Sequence, residues 1–291
     1  MKITVISGVI AAMMLFAAPS AMQARTASGR SSTLTPSKNI ATEYRTSAMN
    51  FSKIEVSSII KLKVENRTDN VIEIRGNENV LPYVDVSVSN NTLYASLRKV
   101  KFASTSNGVK LTIEIAIPNN GKIKSIKVSG ASSVDVEPVV YAENFEAKVS
   151  GASKLSVDVH AEKSDFEISG ASSMAFNCEG GVMTLEASGA SSARGSANVI
   201  KSSIDVSGAS TVHLHGKSDS SSIETSGASN FIGPEFRTEI CSAKVSGAAN
   251  AEVFCSRSLS AEASGMAKIT YAGGCGLSWF SSSGLSKIRM K

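Results

Sequence analysis

Val128-Ser129-Gly130-Ala131-Ser132 is the first of a series. The same Ser-Gly-Ala-Ser segment starts again at Ser150, Ser169, Ser188, Ser207 and Ser226, and altered copies start at Ser246, Ser264 and Ser283. The glycines of the series are Gly130, Gly151, Gly170, Gly189, Gly208, Gly227, Gly247, Gly265 and Gly284, spaced by 21, 19, 19, 19, 19, 20, 18 and 19 residues. A period this regular marks a repeat architecture, in which no unit buries its apolar face alone and each rests on the next.

Alignment on the glycines gives the strands. Four residues after them stand Val134, Leu155, Met174, Ala193, Val212, Phe231, Ala251, Ile269 and Ile288; two before stand Val128, Val149, Ile168, Ala187, Val206, Val245 and Ala263. Apolar and polar positions alternate on both sides of the glycine, which reads as two half-buried strands per repeat meeting at a glycine corner. Stacked coil on coil, they predict an all-β chain. The fold is a right-handed parallel β-helix (solenoid) of about nine ~19-residue coils, right-handed because parallel crossovers almost always are. At ~4.8 Å per coil the rod is on the order of 40 Å long. Glycine suits a sharp turn with left-handed backbone. The alanine after it is expected to point inward, and the flanking serine hydroxyls to stack in columns that satisfy corner backbone groups. A serine repeated at every corner without a histidine beside it is a structural device rather than a nucleophile.

Outward from the repeat, the chain of 291 residues divides further. Residues 1–24 read as a signal peptide: Lys2, an apolar run from Ile3 to Ala18, then small residues before a cut after Ala24, with Ala21 as the alternative. The run is shorter than the ~20 residues of a spanning helix. Residues 25–48 read as a flexible polar lead. Residues 49–120 read as a β-rich N-terminal cap with antiparallel character, and residues 121–291 as the repeat domain. Within the cap, Ile60-Lys61-Leu62-Lys63-Val64 and Val71-Ile72-Glu73-Ile74 flank a polar turn, and Val84-Asp85-Val86-Ser87-Val88 and Leu93-Tyr94-Ala95 flank Ser89-Asn90-Asn91; both pairs read as hairpins. At the other end the last coil carries the bulky Trp279, Phe280, Leu285 and Ile288. It is closed by those side chains, by a partner or by self-association with a second copy.

The tandem Val-Ser-Gly-Ala-Ser coils behind a β-rich segment resemble the putative auto-transporter adhesin family with the head GIN domain, over roughly residues 50 to 291. The resemblance implies an exported protein of the periplasm, outer surface or extracellular space. It carries no site residues over. The chain departs from the family's name in having no room after Gly284 for a C-terminal membrane barrel.

Site chemistry is sparse. Net charge is +5 and diffuse, which excludes the focused basic face that nucleic acid needs. No mature segment is apolar enough to span a membrane. Cys178, Cys241, Cys255 and Cys275 form no Cys-x-x-Cys pair, so zinc and redox motifs are unsupported; they read as buried small residues or as disulfide partners in an exported chain. Three residues before the glycines runs an outward column: Lys127, Lys148, Glu167, Glu186, Asp205, Glu224, Lys244 and Glu262. Its carboxylates Glu167, Glu186, Asp205 and Glu224 form either a solvated face or a surface for calcium or a basic partner. His213 and His215 point the same way, but their expected neighbours Arg194, Ser196, Ile232 and Pro234 supply no third metal ligand, and His160 has no evident partner. The expectation is a non-enzymatic cell-surface or periplasmic adhesin or envelope scaffold that meets a surface glycan or protein. The alternative is a carbohydrate-binding or carbohydrate-processing β-helix, signalled by a groove with exposed aromatics and paired acids.

Overall fold

The computed structural model describes residues 34–46, 50–67, 69–98 and 109–291. The signal peptide expected over residues 1–24 and the start of the expected lead lie outside them. Among the described residues, eighteen strands form one continuous hydrogen-bonded array. Seven make up the N-terminal region: β1 (Ile40–Thr46), β2 (Lys53–Val56), β3 (Lys61–Glu65), β4 (Val71–Asn77), β5 (Val84–Ser89), β6 (Thr92–Leu97) and β7 (Ile113–Pro118). The solenoid follows as β8 (Ser125–Val128), β9 (Ser133–Val149), β10 (Lys154–Ile168), β11 (Ser173–Ala187), β12 (Ser192–Val206), β13 (Thr211–Thr225), β14 (Asn230–Val245), β15 (Asn250–Ala263), β16 (Lys268–Ala272), β17 (Gly276–Ser282) and β18 (Lys287–Met290).

Each long strand pairs in parallel with the next at the repeat spacing, as in Leu155↔Met174 and Ile168↔Ala187, with register shifts in β9–β10, β13–β14 and β14–β15. The alternation changes phase once per coil. In β10, Leu155, Val157, Val159 and Ala161 point in, Glu162 and Lys163 both point out, and Ser164, Phe166 and Ile168 point in. Two successive outward residues turn the strand onto a second sheet, so every coil has a second corner opposite the glycine. The coil is therefore two-sided, with a leading sheet after the glycine and a trailing sheet before the next one. Between them lies a stack of apolar columns. Phe145, Phe166 and Phe176 stack within it, with ring centroids 6.1 and 4.8 Å apart. Burying each such side chain contributes ~1.5–3 kcal/mol, against ~0–1 kcal/mol for an exposed ion pair, so the columns and not the outward charges hold the rod together.

The glycine corners are built as expected in backbone and differently in side chains. Each glycine has positive φ, near +70° to +77°, and the amide behind it donates to the carbonyl of the corner one coil back, as in Ala152 N–H to Gly130 O at 2.7 Å. A Cβ on Gly151 would lie 2.5 Å from Gly130 O. The alanines, expected to point inward, are exposed instead, as Ala131, Ala152 and Ala171 are. The inward position belongs to the fourth residue, Ser132, Ser153, Ser172, Ser191, Ser210 and Ser229, all buried. The reason is alternation: the fourth residue is in phase with the inward valine or leucine two places on. These hydroxyls are satisfied at the corner, as the expectation had it: Ser229 donates to Val206 O at 2.9 Å and Ser226 O at 2.6 Å, and Ser191 to Ser210 Oγ at 3.1 Å.

The N-terminal region holds a coil that lacks the signature. β2 and β3 pair in parallel with β8 and β9, and Ser58 occupies the corner with φ 80°. β6 and β7 stack in parallel on the other side of β2 and β3, so this coil lies between a layer later in sequence and the first Ser-Gly-Ala-Ser coil. Antiparallel strands then close the end: β5 on β6, and β4 on β7 with β1 outermost. The hairpin expected from Val84 to Ala95 is present, its turn made by Asn90 and Asn91 at φ 49° and 61°. The other expected hairpin is not: β7 lies between β3 and β4, and the polar turn is held by Arg67, which pairs with Glu65 and Asp69 and donates to Ala116 O. The lead expected to be flexible contributes β1, whose seven residues pair with β4. Backbone pairing with β4 along its length, and Arg45, which pairs with Glu43 and donates to Val84 O, hold it in place.

Candidate functional site

The trailing sheet carries the outward column that the sequence pointed to. Parallel register places its members directly one above another, and the column is longer than expected: Tyr94, Glu55, Lys127, Lys148, Glu167, Glu186, Asp205, Glu224, Lys244 and Glu262. Tyr94 and Glu55 were not legible because they belong to strands without the corner signature.

The lower part of the column is paired. Lys148 lies 2.9 Å from Glu167 and 3.2 Å from Glu146, and Lys127 lies 3.7 Å from Glu55. Hydrogen bonds that it donates to Glu167 and then to Glu146 hold the Lys148 ammonium above its ordinary pKa. Glu55, Lys127, Lys148 and Glu167, with Tyr94 and the corner serines Ser129, Ser150 and Ser169, line an open depression of about 490 Å³. In the upper part, Glu167↔Glu186, Glu186↔Asp205 and Asp205↔Glu224 are like-charge neighbours. Partial burial, and then the charge of Glu224, push the Asp205 carboxyl up. Among the described residues no group of three or more His, Cys, Asp or Glu side chains is placed to hold a metal ion. A flat ladder explains this: carboxylates at one strand spacing, all pointing the same way, do not converge on a point.

The histidines are better partnered than expected. His160 lies against Tyr141 with ring centroids 5.7 Å apart and planes tilted by 37°, and its Nδ1 lies 3.7 Å from Glu179. His213 faces Arg194 and Ile232, as read. His215 faces Ser196 and Glu235 rather than Pro234, because the coil of 20 residues takes up its extra residue as a register shift between His213 and His215. The cysteines are free; Cys178, Cys241 and Cys255 are buried and Cys275 is half-buried. Burial pushes the Cys178 thiol up and the Cys241 thiol to about 12, so neither is a nucleophile near neutral pH.

A two-sided parallel β-solenoid with flat outward ladders, closed at one end by antiparallel strands, is the class that fold and surface define. The chain belongs to the family described as "Putative auto-transporter adhesin, head GIN domain", whose model matches residues 50–202 and 173–275. No curated protein matches it. Among solved structures it is similar to a putative adhesin from Parabacteroides distasonis ATCC 8503, at 16% identity and TM-score 0.69, covering 89% of this chain and 100% of that one. It is similar also to a putative adhesin from Parabacteroides merdae ATCC 43184, at 16% identity and TM-score 0.64, covering 89% and 98%. A third is named a putative lipid binding protein, from Parabacteroides distasonis ATCC 8503, at 14% identity and TM-score 0.63, covering 89% and 100%. At these identities the likeness shows the fold. No helix among the described residues is long and apolar enough to cross a membrane.

Proposed function

We propose that this chain is exported through the signal peptide at residues 1–24 and acts without catalysis, as an adhesin or envelope scaffold of the cell surface or periplasm. The observation that carries the reading is the outward column from Tyr94 to Glu262, whose members from Lys127 onward stand on coils joined by corners of only four residues. Such a face binds by many small polar contacts summed over a broad area, which suits attachment to a repetitive surface. Support for a non-enzymatic role comes from the inward corner serines, whose hydroxyls are bonded within the corner, as Ser229 is to Val206 O and Ser226 O and Ser191 to Ser210 Oγ, and from the high thiol pKa of Cys241.

A second reading, carbohydrate binding, is favoured by the depression at the lower end of the column. There Tyr94 offers a ring, and Glu55, Lys127, Lys148 and Glu167 offer paired charges. The test is binding of the mature chain to an array of glycans and extracellular-matrix proteins, with and without calcium. Binding to a sugar class that is lost in Tyr94→Ala selects the second reading. Binding to matrix proteins that Tyr94→Ala leaves intact supports adhesion, and calcium dependence lost in Asp205→Asn assigns a cation to Glu167, Glu186, Asp205 and Glu224. No binding on either array overturns adhesion and leaves the scaffold role, read by pull-down of envelope partners.

A further inference from the structure

The C-terminal end of the solenoid differs from every other part of its surface. β17 pairs only with β15, and β18 only with β16, so the far edges of both strands present unpaired backbone groups. The interior columns run out at the same place. Phe280 continues the column of the fully buried Ala261, and Ile288 and Met290 continue those of Ile269 and Tyr271; Phe280 is 49% exposed and Met290 59%. Trp279 and Leu285 beside them are 63% and 77% exposed. Past Glu262 the chain has no carboxylate side chain and four cations, Lys268, Lys287, Arg289 and Lys291. Lys287 and Arg289 stand two apart on β18, pointing outward between the inward Ile288 and Met290.

We propose that this edge takes an extended polypeptide strand in which acidic residues alternate with apolar ones. Backbone pairing to the open edge would continue the ladder, the apolar side chains would cover the ends of the columns, and the acidic ones would lie one strand spacing from Lys287 and Arg289. The charges decide between occupants. A second copy paired antiparallel across β18 would set Lys287, Arg289 and Lys291 against their equivalents, and like charges directly opposite are destabilising. The N-terminal 33 residues carry Lys2, Arg25 and Arg30 and no acid, so they do not fit either. A lipid surface would meet the cations but leave the strand edge's N–H and C=O groups unpaired in hydrocarbon. The proposal is independent of the face from Tyr94 to Glu262, which lies on the outside of the sheet and not on its edge.

Trp279 is the single tryptophan of the chain, so its fluorescence reports on this edge alone. The full chain is titrated with a synthetic peptide alternating glutamate and valine, a lysine–valine counterpart, a glutamate–valine peptide interrupted by prolines, and phosphatidylglycerol vesicles. A saturable blue shift is expected with the first peptide only, weakening on added salt. The double variant K287E/R289E should bind it at least about tenfold less tightly and take up the lysine–valine peptide in its place. That gain keeps the test meaningful if the variant is less stable. An equal response to the proline or lysine peptide, binding unaffected by K287E/R289E, or a shift with vesicles alone would overturn the proposal. So would dimers in sedimentation that resist the first peptide.

Discussion

Val56-Ser57-Ser58-Ile59-Ile60 and Val128-Ser129-Gly130-Ala131-Ser132 make the same corner from different residues, and the second stacks on the first. Both corner residues have positive φ, 80° at Ser58 and 77° at Gly130. A Cβ on Gly130 would meet Ser58 O at 2.5 Å, and every later corner glycine meets its predecessor in the same way. The corner side chain thus points into the coil before it. Ser58 belongs to the first such corner, and its Oγ instead accepts the N–H of Leu97 at 3.3 Å. Glycine is required by stacking as much as by backbone angle, which is why the signature is strict inside the solenoid and lapses at its start. The fourth position differs as well: Ile60 is buried where Ser132, Ser153, Ser172, Ser191, Ser210 and Ser229 are buried in the following coils.

Moving the first corner into the middle tests this most severely. Gly189→Ser would place a Cβ 2.8 Å from Gly170 O at φ 76°. It should lower stability by about 3 kcal/mol, combining backbone strain with overpacking, read from the midpoint of urea unfolding. A loss under about 1 kcal/mol would mean that angle and stacking are separable. Removing a satisfied inward hydroxyl is milder: Ser229→Ala leaves Val206 O and Ser226 O short of a donor and should cost about 1 kcal/mol. The chain itself carries alanine at the equivalent Ala249 and Ala267, so a much larger loss would contradict the column as described.

The reciprocal change, Ser58→Gly, relieves a left-handed serine of roughly 1–2 kcal/mol. It also removes the bond to Leu97 and frees the unfolded chain, so the net shift should stay within about 1 kcal/mol of zero by thermal unfolding. The smallest effect contrasts carboxylates in the two regions. Asp205 has its pKa raised by burial and by Glu224, so its contribution is favourable while it is protonated and is lost as pH rises through the raised value. Asp205→Asn should therefore stabilise at neutral pH by a few tenths of a kcal/mol, and not below the carboxylate range. Asp69 has its pKa lowered by the hydrogen bond from Arg67 and then by that from Val71 N–H. Its contribution is present above the ordinary carboxylate range and lost as pH falls through the lowered value, so Asp69→Asn should destabilise at neutral pH. Equal signs for the two variants in pH-dependent unfolding would refute the assignment.

Legibility followed repetition. Leu155, Phe166, Ile168 and their equivalents were placed correctly from the glycine frame alone, and so was the column from Lys127 to Glu262. The Asn90-Asn91 turn was legible from its own residues. Elsewhere, where repetition failed, so did the reading. The β2–β3 coil has no glycine, so it passed for half a hairpin, and Glu55 and Tyr94 dropped out of the ladder with it. The signal was present in Val56-Ser57-Ser58, which matches Val128-Ser129-Gly130 once a serine is allowed at the corner. Glu235 was missed beside His215 because a 20-residue coil can absorb its extra residue at many places, and only packing selects one. The inward serine and outward alanine were exchanged because size was weighed before phase.

The sequence by itself determined that the chain is a parallel stack of two-strand coils with glycine corners and an outward charged column. A period of about 19 residues with fixed alternation leaves no other way to bury the apolar set. Only the tertiary structure decided the order of layers at the N-terminal end, where β2 and β3 lie between β6–β7 and β8–β9, and the contrast between a closed end and an open one. Those depend on which strand edges meet in space. Backbone hydrogen bonds carry no residue code, so strands such as β3 and β7, far apart in sequence and alike in pattern, are matched by the packing of the whole chain and not by any local signal.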